Sequence, residues 1–148
     1  MIDKLKDLFA KRPADEPSVE LNEMAVSVGA ILVEAAKADE HYTEKEMALI
    51  DTLLVHDFGV SQSDADALRA QSEARQASAN DIHQFTKVVK ELSEQEKFAL
   101  MQGLWRITLS DSVKDPYEEM LVRRVAGLIY VSDVDSARAR QSVEGGAA

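Results

Sequence analysis

The sequence predicts an all-α fold: one multihelical bundle of about seven helices in two pseudo-repeated halves, behind a short N-terminal helix. Three observations carry this. Apolar residues recur at three- and four-residue spacing along most of the chain. Alternating strand patterns are absent. Helix breakers are scarce, with six Gly and three Pro in 148 residues. A chain of this length is one domain by its size, and it hides roughly 70% of the surface its unfolded form exposes.

The elements follow in order. Ile2, Leu5, Leu8 and Phe9 give Met1 to Ala10 an amphipathic edge. Pro13 and Pro17 then break the helix, so residues 1–17 form a helix and a linker. From Ser18 to Ala38, Leu21, Met24, Val28, Ile31, Leu32 and Ala35 make a one-sided stripe. Met47, Ile50, Leu53 and Leu54 mark a second helix. A weaker, Ala-rich third runs from about Gln62 to Ala74. Ile82, Phe85, Val88, Val89 and Leu92 mark a fourth. A fifth carries Phe98, Met101, Leu104 and Trp105, which read as core. Leu121, Val125, Leu128 and Ile129 mark a sixth, and a short last helix follows Ser132. The helical domain is thus residues 18–141, and 142–148 are a fraying tail.

Several starts are signed by capping boxes, in which an N-cap side chain and an acid three residues on exchange hydrogen bonds with each other's backbone. Thr43 with Glu46, Ser93 with Glu96, and Asp115 with Glu118 fit. Pro116 suits the first helical position. Ser61 with Asp64 and Ser132 with Asp135 are shorter Asp versions.

The punctuation occurs twice. Asp39, Glu46 and Leu49 of "KADEHYTEKEMALI" match Asp111, Glu118 and Leu121 of "LSDSVKDPYEEMLV". After a one-residue deletion, Val60, Ser61 and Asp64 match Val131, Ser132 and Asp135. The repeated unit is a long helix, an acidic loop, a helix, a Val-Ser loop and a helix.

"AKADEHYTEKEMALIDTLL" followed by "FGVS" resembles the TerB family, named for tellurite resistance. The family signature is similar to Ala-Lys-Ala-Asp-Gly with a Glu a few residues later, in a duplicated helical fold. The resemblance covers residues 18 to 141. It departs at one place: the family usually has Gly after the Asp, whereas this chain has Glu40 and Ser112. The resemblance implies an acidic, cation-binding surface at Asp39, Glu46, Asp111 and Glu118. It also implies a role in a tellurite or general stress response.

Bare chemistry leaves two roles open for these acids. They can close caps and favour the positive end of the helix dipole. They can also bind a divalent cation such as Ca²⁺ or Mg²⁺, which needs six or more oxygen ligands. Neither loop is an EF-hand. His41 is placed to join a transition-metal site, although a lone loop His is ordinarily solvated.

A formal net charge of −10 repels nucleic acid and oxyanions such as tellurite. Lys87, Lys90 and Lys97 are the nearest thing to a basic stripe. The chain has no Cys, so thiolate chemistry is excluded and a reducing cytoplasm is the expected setting. No apolar run approaches a membrane span. No phosphate loop or nucleophile elbow is present, so the expected protein is not an enzyme. A carboxylate metalloenzyme is the weakest choice. The main alternative is a structural adaptor. In it the N-terminal helix, with Lys4, Lys6, Lys11 and Arg12, docks on a protein partner or makes weak contact with an anionic membrane.

Overall fold

The computed structural model describes residues 19–38, 40–110 and 116–146. Seven helices and no strand occur among them: α1 (Val19–Lys37), α2 (Glu44–Phe58), α3 (Gln62–Ser78), α4 (His83–Val89), α5 (Glu94–Leu109), α6 (Pro116–Leu128) and α7 (Asp133–Gly146). The expected N-terminal helix and linker, residues 1–17, lie outside the described residues, as do Asp39 and Asp111.

The helix starts obey the local chemistry. Glu46 N–H donates to Thr43 Oγ1 at 3.2 Å, and Thr43 N–H donates to Glu46 Oε1 at 3.0 Å. Glu96 N–H likewise donates to Ser93 Oγ at 3.2 Å, and Ser93 N–H donates to Glu96 Oε1 at 2.8 Å. Ser61 and Ser132 accept from the amides of Asp64 and Asp135 at 3.3 and 3.1 Å. At α4 no side chain of the N-cap residue serves, and Asp81 accepts from the His83 amide at 2.7 Å instead.

α1 departs from the one-sided stripe. From Ala25 to Ala36 every residue except Glu34 is buried, because the positions between the large apolar residues are Val26, Ser27, Gly29, Ala30 and Val33. A helix apolar on all sides belongs in the centre of a bundle. α2, α3, α4, α5 and α6 all contact it. The closest approach is to α3. A Cβ on Gly29 would run into the Ser72 hydroxyl, and the Ser72 Cβ would lie 2.8 Å away. Ser72 donates to the Val26 carbonyl at 3.1 Å. Arg75 of α3 reaches Glu23, while its neighbour Gln76 reaches Glu34 and Lys37.

α7 is longer than expected. It continues to Gly146, so the residues read as a tail from 142 are helical through 146. Val143 is buried, and Gln102 donates to Ser142 at 2.8 Å. Trp105 is in the core, its Nε1 3.3 Å from Ser136 Oγ, and Arg140 lies 4.7 Å over its ring. α2 and α6 end alike: Gly59 and Tyr130 adopt left-handed backbone at φ 71° and 64°, and the amides of Val60 and Val131 turn back to Leu54 and Ala126.

Candidate functional site

The two repeated glutamates both occupy the third position of a helix. Glu46 is 8% exposed and Glu118 is 1% exposed. Glu46 Oε1 accepts from both the Thr43 amide and the Thr43 hydroxyl, so this oxygen is committed to the helix start. The intervening loop keeps its turn without the family's glycine. Glu40 itself takes the left-handed conformation, φ 67°, and its amide donates to the Lys37 carbonyl at 2.9 Å.

Described residues of both acidic stretches line one groove of about 660 Å³. Lys45, Leu49 and Thr52 come from α2, Lys45 and Leu49 within the first stretch and Thr52 just after it. Arg106 and Leu109 come from the end of α5 and Ser110 caps it, Leu109 and Ser110 being the first residues of the second stretch. Val143 and Glu144 of α7 close it. Among the described residues no three His, Asp or Glu side chains gather in a way that could hold a metal ion. The described carboxylates alone therefore do not fit a hard cation, which wants six or more oxygens.

The best-formed carboxylate cluster is elsewhere and already holds a cation. Arg69 of α3 donates to Asp51 of α2 at 2.9 Å, to Glu73 at 2.8 Å and to Asp66 at 3.3 Å. Tyr42 of the acidic loop donates its hydroxyl to the same Glu73 oxygen at 2.5 Å. Burial, a hydrogen bond with Asp66 and the Asp66 charge push Asp51 up to about 6, against the pull of Arg69. Asp66 is held low by its bonds with Asp51 and Arg69. Burial, then the Glu73 carboxylate, raises the Tyr42 phenol. Asp51 does not line the groove.

Sequence reasoning missed this cluster. The Arg69–Glu73 spacing of four residues was visible, yet Asp51 and Tyr42 come from other elements. The lysine stripe is not a shared surface either: Lys97 is buried and lies 3.8 Å from Glu94. Among the described residues no helix is long and apolar enough to cross a membrane.

Fold and site together define a small, acidic, all-helical bundle with a groove between α2, the end of α5 and α7. The family model for the tellurite resistance protein TerB matches residues 25–141, and the chain belongs to that family. No curated protein and no solved structure matches closely enough to add to this.

Proposed function

We propose that this TerB-family chain is a non-catalytic module of a tellurite- or stress-response system. In this reading it binds a divalent cation through its two acidic stretches. The observation that carries this is the shared groove: Lys45 of the first stretch and Ser110 of the second line the same space. Asp39 and Asp111 would supply the open carboxylates. Glu46 and Glu118 would chiefly fix the helix starts beside them, since Glu46 Oε1 is already taken by Thr43. The recurrence of Glu46 and Glu118, and of Gly59 and Tyr130, at matching places supports descent of the two halves from one unit. The adaptor alternative through residues 1–17 lies outside the described residues.

The test is thermal unfolding with and without Ca²⁺, Mg²⁺, Mn²⁺ or Zn²⁺. A cation bound only by the native state at a hundred times its dissociation constant adds about 2.7 kcal/mol. That gain should vanish in Asp39→Asn and Asp111→Asn and largely persist in Glu46→Gln, because Gln also closes a capping box. If no cation raises the wild-type midpoint, the chain does not bind one in this way.

A further inference from the structure

The outer face of α6 is built unlike the rest of the surface. Tyr117 and Met120 are 72% and 62% exposed, and Tyr130, just past the helix end, is 75% exposed. Arg123 and Arg124 stand on the same face. Among the described residues neither forms an ion pair, whereas Arg69, Arg75, Arg138 and Arg140 all do. Tyr, Met and Arg are the residues enriched in protein interfaces and their hot spots.

Two placements on this face run against the chain's own stability. Gly127 sits inside α6, where glycine weakens a helix, yet a Cβ there would meet nothing within 4 Å. The fold's own packing gives no reason for it. Three residues on, the left-handed position that glycine tolerates best is held by Tyr130. The corresponding end of α2 uses Gly59. The chain therefore has a glycine where any side chain would fit, and a strained, exposed tyrosine where glycine would be at ease. Such strain collects at functional sites.

We infer that this face docks an acidic helical segment of a partner protein. Gly127 lets the partner's backbone approach closely, Arg123 and Arg124 meet its carboxylates, and Met120 and Tyr130 cover its apolar side. The charge complementarity is local: on a chain of net charge −10, two neighbouring arginines without an ion pair among the described residues select an acidic partner. This inference is independent of cation binding.

The experiment uses the full isotope-labelled chain and a synthetic amphipathic helical peptide of Leu, Ala and Glu, with a counterpart in which Lys replaces Glu. Amide shifts on adding the acidic peptide should map to residues 117–130, and the Lys counterpart should not bind. Arg124→Glu and Gly127→Leu should each weaken binding about tenfold. Tyr130→Gly should weaken binding while raising the melting temperature, and Gly127→Ala should also raise it. A merely structural role predicts that both changes lower it. The inference is overturned if the acidic peptide does not bind, if the Lys peptide binds equally, or if the shifts map to another face. It is also overturned if phosphatidylglycerol vesicles occupy this face in place of the peptide.

Discussion

Replacing Arg69 with Met keeps the aliphatic stem and removes the cation at the centre of the Asp51, Asp66 and Glu73 cluster. Two of its bonds matter most, those to Asp51 and Glu73 at 2.9 and 2.8 Å, because all three side chains are between 15% and 25% exposed. The Asp66 partner is 81% exposed and contributes little. Hydrogen bonds to charged groups contribute about 1.5–3 kcal/mol each when well buried. These are part-buried and water can replace some of them, so the loss should be about 2–3 kcal/mol in total. A chain of this size shifts by about 2–4 °C per kcal/mol, which puts the fall in melting temperature at about 5–10 °C at neutral pH. Circular dichroism melts would read it. The double variant Arg69→Met with Asp51→Asn should lose less than the two single losses added together, because Asn leaves no buried charge to strand. A melting temperature within about 1 °C of wild type would mean that solvent already carries the three carboxylates. The cluster would then hold nothing together.

Three further outcomes follow from the same geometry. Asp51 sits at about 6 against an ordinary 3.8, so its native form holds the proton more tightly. Its stabilising contribution is complete below the ordinary value and is lost as pH rises through about 6. The exposed Asp66 runs the other way, its contribution present above its ordinary value and lost as pH falls. Melts from pH 4 to 7 should therefore show wild type gaining on Asp51→Asn as pH is lowered toward 4, and a constant difference would refute the assignment. Glu40→Gly should raise stability by about 0.5–1 kcal/mol in denaturant titrations, because the left-handed backbone at φ 67° suits glycine. Gly29→Ala should cost about 1–3 kcal/mol by crowding Ser72, and pairing it with Ser72→Gly should cost less than the sum.

The parts of the fold legible in the sequence are those set by near neighbours. Thr43, Ser61, Ser93 and Ser132 mark helix starts because a cap needs only a hydroxyl and an amide three residues on. The full burial of α1 was not legible as such, since Ala30, Gly29 and Ser27 look neutral until another helix is pressed against them. The length of α7 was hidden for a similar reason. Val143 is a lone apolar residue before two glycines, and only the surface of α5 gives it a place to go. At the candidate site, Glu46 was legible as a capping residue. The Arg69 cluster was not, because its members are joined by the packing of α2 on α3 and not by spacing. The left-handed turn at Glu40 survived the loss of glycine, which the residue type alone argued against.

The burial of α1 on every side has a consequence for how the chain is made. Of the seven helices, the one with least affinity for water leaves the ribosome first, and the helices that cover it come later. The Ser72 hydroxyl that meets the Val26 carbonyl is 46 residues downstream. α5 is complete only at Leu109. At roughly 5–20 residues per second, the nascent α1 waits ~4–14 s between its own completion and that of α5. During that interval it is an apolar segment without a complete shell, open to chaperones and to other unfinished chains. Slowing translation between α1 and α5 should therefore lower the yield of folded protein, while the purified chain, refolding with all its helices present, should be indifferent to it.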